Sequence, residues 1–195
     1  MEDELEAGMH RRVTTAHGPL HMWTPRHYSE SGDIVVYVHA DGWNDELAKQ
    51  FAASGLDAMF IAVDPSWASL SEVLGTAQAK AKLALPMGKV IVVGAASIAS
   101  WMAESQLDRL VVTNAVDVAR YRDWLEMKRD RQLILVGGDV AEELHALLPA
   151  ATVLDQLPEL GQAHAARVVY VKKSGDLSVL LQMASDDAGT PVARM

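Results

Sequence analysis

Cysteine is absent from the 195 residues, which excludes disulfide bonds, thiolate nucleophiles and Cys-ligated metal centres. That absence fits a reducing compartment, and a cytoplasmic location is expected. No apolar run reaches the length of a membrane span. The first twenty residues mix Glu, Asp, His and Arg in place of the apolar stretch of a signal peptide, so no membrane partner is expected. Basic residues are also scarce: 17 Lys and Arg stand against 26 Asp and Glu, a formal charge of −9. A general phosphate-backbone binder needs a basic face to displace counterions, so nucleic acid is not an expected partner. The cluster Arg120, Arg122, Lys128, Arg129 and Arg131 is interleaved with Asp123, Glu126 and Asp130. It reads as the solvated face of a helix, with a docking patch as the weaker reading.

Nucleotide signatures are missing as well. No Gly-x-Gly-x-x-Gly follows the first buried run, and no Gly-x-x-x-x-Gly-Lys-Ser/Thr occurs anywhere, so no cofactor is implied. His10, His17, His21 and His27 crowd the amino-terminal region; only His17 and His21 stand four apart, and His21 falls in a stretch that alternates like a strand, so no helical metal-binding pair is formed. No carboxylate is placed to complete a site, and no metal is expected.

The chain does hold a regular alternation of strand and helix signals. Its length suits one domain with a closed core, and 50% apolar with 22% charged residues is an ordinary globular balance. Residues 1–18 are polar and read as an arm or short edge element, with a single domain over 19–195. Pro19 to Pro25 alternates like an edge strand ended by proline. Unbroken apolar runs at Ile34 to His39, Ala58 to Val63, Val90 to Val93, Leu110 to Thr113, Leu133 to Val136 and Val168 to Val171 suit strands covered on both faces. A shorter strand is expected at Thr152 to Leu154.

Between these runs lie helical patterns, one carrying Leu47, Ala48, Phe51 and Ala52 and ending at Gly55, a left-handed cap. Another opens on a capping-box spacing, Ser69 and Glu72. A third carries Val118, Tyr121, Trp124 and Leu125, and a last one runs from Leu177 to Met183. Strands and helices alternating at this spacing imply right-handed crossovers and a mostly parallel sheet in a three-layer α/β/α arrangement. Ligands in such folds bind at the carboxyl ends of the strands.

The organising stretch is Lys89-Val-Ile-Val-Val-Gly-Ala-Ala-Ser-Ile-Ala-Ser-Trp-Met102. A buried strand breaks at Gly94 and passes within a few small residues into helical spacing at Ile98, Trp101 and Met102. This resembles the nucleophile elbow of the α/β-hydrolases, specifically their small lidless members. Val38-His-Ala-Asp-Gly-Trp43 resembles the family's oxyanion loop, and Ile134-Leu-Val-Gly-Gly-Asp139 resembles the loop carrying the acid of the triad. The resemblance implies an α/β-hydrolase-like fold and an ancestral esterase or amidase chemistry.

Departures from the pattern bear on activity. Ala96 stands where the serine belongs, and Ile98 where the second glycine belongs. Shifting by one brings Ser97 into register, either as nucleophile or as a helix N-cap. Asp139 is either the acid that orients a histidine or the N-cap of the helix beginning at Val140, with Glu142 completing a capping pair. The base is His164 in one alignment. In another, the loop after Val168 to Val171 carries Asp176 where the histidine would sit, and an aspartate is a poor base near neutral pH. His39, at a strand end, is expected to pack or hydrogen-bond.

Three functions follow. The first is a catalytically silent, pseudoenzyme-like α/β-hydrolase domain binding a small acyl or ester ligand or a protein partner, a second copy included. Its binding residues would be Ala40, Trp43, Ala96 and Asp176, with Trp43 and Trp67 at the exposed edge as anchors. The second is an active serine esterase or amidase using Ser97, His164 and Asp139, with backbone N–H groups near Ala40 and Ile98 forming the oxyanion hole. The third is a Rossmann-like structural subunit of a larger assembly.

Overall fold

The structure, a computed structural model, describes residues 2–5, 7–29, 32–39, 42–64, 69–81, 88–95, 98, 107–158 and 166–185. Among these residues ten strands form one sheet. They are β1 (Glu2–Leu5), β2 (Gly8–Thr15), β3 (Gly18–Pro25), β4 (Asp33–Val38), β5 (Ala58–Val63), β6 (Val90–Ala95), β7 (Arg109–Thr113), β8 (Gln132–Val136), β9 (Thr152–Leu154) and β10 (Val168–Val171). Among the described residues five helices lie between or after them: α1 (Asp45–Ser54), α2 (Leu70–Ala81), α3 (Val118–Glu126), α4 (Ala141–Leu147) and α5 (Leu177–Ser185).

The spatial order is β1-β2-β3-β5-β4-β6-β7-β8-β10-β9. The pairs from β5 to β9 are parallel, while β1, β2 and β3 are antiparallel to their neighbours, β3 also to β5.

The apolar runs are strands because both faces of each are covered. Alternate residues feed two cores. On one face Val36, Ile61, Val92, Val112 and Leu135 meet Leu74 of α2, Tyr121 of α3 and Leu144 of α4. On the other face Val35, Phe60, Val93, Val111 and Ile134 meet Phe51 of α1 and Leu181 of α5. This is the three-layer α/β/α arrangement expected from the alternation. No helix among the described residues is long and apolar enough to cross a membrane.

Local signals formed as read. Ser69 and Glu72 exchange bonds: the Glu72 N–H donates to Ser69 Oγ at 3.3 Å, and the Ser69 N–H to Glu72 Oε2 at 3.2 Å. Gly55 closes α1 at φ 66°.

The amino-terminal region departs from the reading. Residues expected as an arm or short edge element supply β1, a short strand at the sheet edge, and also β2 inside it, which pairs along its full length with β3. β3 is consequently interior, with Leu20, Met22 and Trp23 buried. Arg131 also departs: it is 2% exposed, because it lies beyond the end of α3 and turns inward, its Nη1 donating to Trp124 O in that helix's last turn.

Candidate functional site

Strand order locates the site. After β4 the chain crosses through α1 to β5 on one side, then through α2 back past β4 to β6 on the other. Right-handed crossovers running in opposite directions put these helices on opposite faces. A crevice therefore opens at the carboxyl ends of β4 and β6, the topological switch point where open α/β sheets bind ligands.

A cleft of about 290 Å³ lies there, lined by Tyr37, Val38 and His39 of β4 and its end, and by Val93, Gly94 and Ala95 of β6. Thr113 and Val136 extend its floor. Leu177 and Leu180 of α5, with Ser174 and Gly175 ahead of that helix, form the facing wall. The lining is mainly apolar, with the Thr113 and Ser174 hydroxyls and the His39 imidazole as polar groups. The His39 ring lies 5.3 Å from Tyr37, nearly parallel at 14°, and the His39 backbone N–H continues the ladder to Val63 O at 2.9 Å. It packs as expected, and it also borders the cleft.

Gly94 is required by close approach. A Cβ there would stand 2.5 Å from Ile98 Cγ2 and 2.9 Å from Val38 O. Ile98, awkward on the elbow pattern, is fully buried and covers the glycine on the α2 and α3 face. Ala40, Ala96, Ser97, Trp67, Trp101, Met102 and His164 lie outside the described residues.

Asp139 follows Gly137 and Gly138, which adopt φ 67° and 80°. A Cβ on Gly138 would stand 2.6 Å from Ala115 O. Tyr170 Oη donates to Gly138 O at 3.1 Å and steadies the turn. Asp139 is exposed at this carboxyl edge and is not among the cleft-lining residues. The capping alternative did not form: Val140 is the N-cap of α4, with no side-chain cap bond. Asp176 is exposed immediately before α5, and its carbonyl accepts the Leu180 N–H at 3.1 Å.

Trp43 is half-buried, not projecting. Its indole lies 4.3 Å from the His10 ring at an interplanar angle of 3°, and His10 Nε2 is 3.0 Å from His21 Nδ1. Burial, then His10, then the Arg12 guanidinium lower the His21 pKa to about 4. Sequence spacing could not bring these histidines together, because the β2–β3 register does: His10 opposes Trp23, and Arg12 opposes His21. No group of three or more metal-ligating side chains occurs among the described residues.

The reading from sequence missed Tyr37, Thr113, Ser174, Leu177 and Leu180 as lining residues. Thr113 was findable as the last residue of a parallel strand. The α5 residues were not, because their place depends on how that helix packs.

No family model matches the chain, and no curated protein does. Among solved structures it is similar to an arylesterase (9% identity, 94% of this chain and 84% of the other, TM-score 0.49). It is also similar to the Francisella virulence factor BioJ (10% identity, 90% and 78%, TM-score 0.47). A third is a Pyrobaculum calidifontis esterase (10% identity, 87% and 76%, TM-score 0.47). Independently of these, a ten-stranded, mostly parallel sheet covered on both faces has a glycine-governed strand end at its switch point. The chain has an α/β-hydrolase-like fold.

Proposed function

We propose that the chain is a ligand-binding module on an α/β-hydrolase-like fold, without serine-hydrolase turnover, that takes a small acyl or ester compound in the cleft at the β4–β6 switch point. The observation that carries this reading is the make-up of the cleft wall after the last interior strand. The loop leading from β10 to α5 presents Ser174 and Gly175 to the cleft, followed by the exposed Asp176. No imidazole stands in that loop, and a serine needs such a base within hydrogen-bond reach to become a nucleophile. The volume of about 290 Å³ is at the lower end for ligand pockets, which favours a compact ligand. A protein partner or a second copy at the same edge is the alternative occupant, and a cytoplasmic setting agrees with the cysteine-free chain.

The rival is an esterase or amidase built on Ser97, His164 and Asp139. Treatment with a fluorophosphonate probe followed by intact-mass analysis separates the two. The wild type is expected to take up no adduct, and an adduct mapped to Ser97 overturns the proposal. The Ala96→Ser variant run alongside reports whether the strand end can still present a reactive hydroxyl. Binding is tested with ethyl butyrate, which should stabilise the wild type thermally but not a Leu177→Trp variant whose indole fills the cleft. No stabilisation of the wild type would count against the small-ligand reading.

A further inference from the structure

The half-burial of Trp43 has its cause on the adjoining surface of the sheet. His10 of β2 and His21 of β3 lie beside its indole, the first 4.3 Å away at 3° and the second 5.8 Å away at 5°. The two imidazoles share a plane within 1°, their centroids 5.2 Å apart, with His10 Nε2 3.0 Å from His21 Nδ1. They therefore meet end to end, nitrogen to nitrogen. One hydrogen lies between them, whichever ring carries it.

That line has no room for a second hydrogen. The pair persists with both rings neutral, or with one ring an imidazolium that donates to the other. With both protonated, two N–H groups point at each other across 3.0 Å and two positive charges adjoin. Uptake of the last proton must separate the rings. Burial decides which one moves: His10 is 7% exposed, inside the sheet and nearer to Trp43, whereas His21 is half-buried and can turn outward.

Charged neighbours come from each element around the pair. β2 contributes Arg12, which opposes His21 in register, and β1 places Asp3 opposite His10. β5 places Ala62 opposite His21, with the exposed Asp64 two residues further on. α1 opens with the exposed Asp45 and Glu46. At His21 burial, His10 and Arg12 prevail and lower the pKa to about 4, so this ring is the neutral member at pH 7. Trp43 is tied to the cleft in turn, because the Gly42 N–H donates to His39 O at 3.0 Å and His39 borders the cleft.

We propose that the His10–His21 pair is an acid-operated latch on Trp43 and, through Gly42, on the rim of the cleft at His39. It is closed while the two rings share one hydrogen and open when both are protonated. Opening withdraws His21 from the indole and loosens the rim, whether or not the cleft takes an acyl ligand.

The test is NMR of the full chain as pH falls through about 4, read at the His21 ring, the Trp43 indole N–H and the Gly42 amide. The nitrogen–nitrogen coupling across the His10–His21 bond should vanish as His21 takes its proton, and the Trp43 and Gly42 signals should move with the same midpoint. His21→Asn sets an amide that does not titrate in place of Nδ1, and should abolish the step at Trp43 and Gly42. Arg12→Gln changes an exposed side chain and should raise all three midpoints together. The proposal is overturned by Trp43 and Gly42 signals that stay still while His21 titrates, or by a step that persists in His21→Asn. It is also overturned if Arg12→Gln shifts the His21 midpoint alone, or if the whole spectrum collapses in the same step, since unfolding would then precede any opening.

Discussion

Replacing Gly94 with alanine tests the strand end on which the site depends. Gly94 does not have a left-handed φ, so alanine meets no dihedral barrier. By unfolded-state entropy alone Gly94→Ala would stabilise by about 0.4–1 kcal/mol. Space decides otherwise. The new methyl group would stand 2.5 Å from Ile98 Cγ2, 2.9 Å from Val38 O and 3.1 Å from Val38 Cβ. One of these atoms is backbone in the centre of the sheet, and Ile98 is fully buried.

Overpacking of this kind costs about 1–3 kcal/mol, so a net destabilisation of about 2 kcal/mol is expected, a fall in Tm of about 4–8 °C for a chain of this size. Ile98→Ala alone should cost about 2–5 kcal/mol as a cavity. In the double variant the nearest obstacle is gone while Val38 O remains. The two costs should then fall short of their sum by about 1 kcal/mol, a coupling that marks direct contact. Urea unfolding followed by tryptophan fluorescence yields all four stabilities. A neutral or stabilising Gly94→Ala, or strict additivity in the cycle, would refute the reasoning.

The His21 ring should titrate near pH 4 by NMR, and Arg12→Gln should raise that value by removing one of the charges that depress it. Because the folded pKa lies below the ordinary 6.5, the unfolded chain takes up the proton first as pH falls. Stability is full above about 6.5 and declines down to about 4, by roughly 1 kcal/mol once the screening of a half-exposed ring is allowed for. A flat stability profile over that range would count against the His10–His21 arrangement. Asn44→Ala removes the side-chain oxygen that accepts the Leu47 N–H at 3.0 Å, and should lower stability by about 1 kcal/mol. Gly55→Ala forces a side chain into φ 66° and should cost about 1–2 kcal/mol in the same assay.

The parts of the fold legible in the sequence were those set by local composition. Ala58 to Val63 is buried at every position, and only a strand covered on both faces uses six apolar residues in succession. Gly55 and the Ser69–Glu72 pair announce helix ends through backbone chemistry that needs no tertiary partner. Gly8 to Thr15 was not legible. Only Gly8 and His10 of its eight residues are buried, the others being half-buried or exposed; its strand form is conferred by pairing with β3. The inward turn of Arg131 and the meeting of His10, His21 and Trp43 are likewise products of register and packing. At the site, strand ends such as His39, Gly94 and Thr113 could be read in advance. The wall contributed by α5 could not, since a helix's docking is settled by partners distant in sequence.

The position of β4 has a consequence for synthesis on the ribosome. Its residues Ile34 to Val38 pair on one side with β5 and on the other with β6, which begins at Val90. A nascent chain released or stalled before that point leaves one margin of this apolar strand open to pairing with another molecule. Truncations ending between residues 64 and 89 should therefore form insoluble material, and solubility should return only once the partner strand has been added.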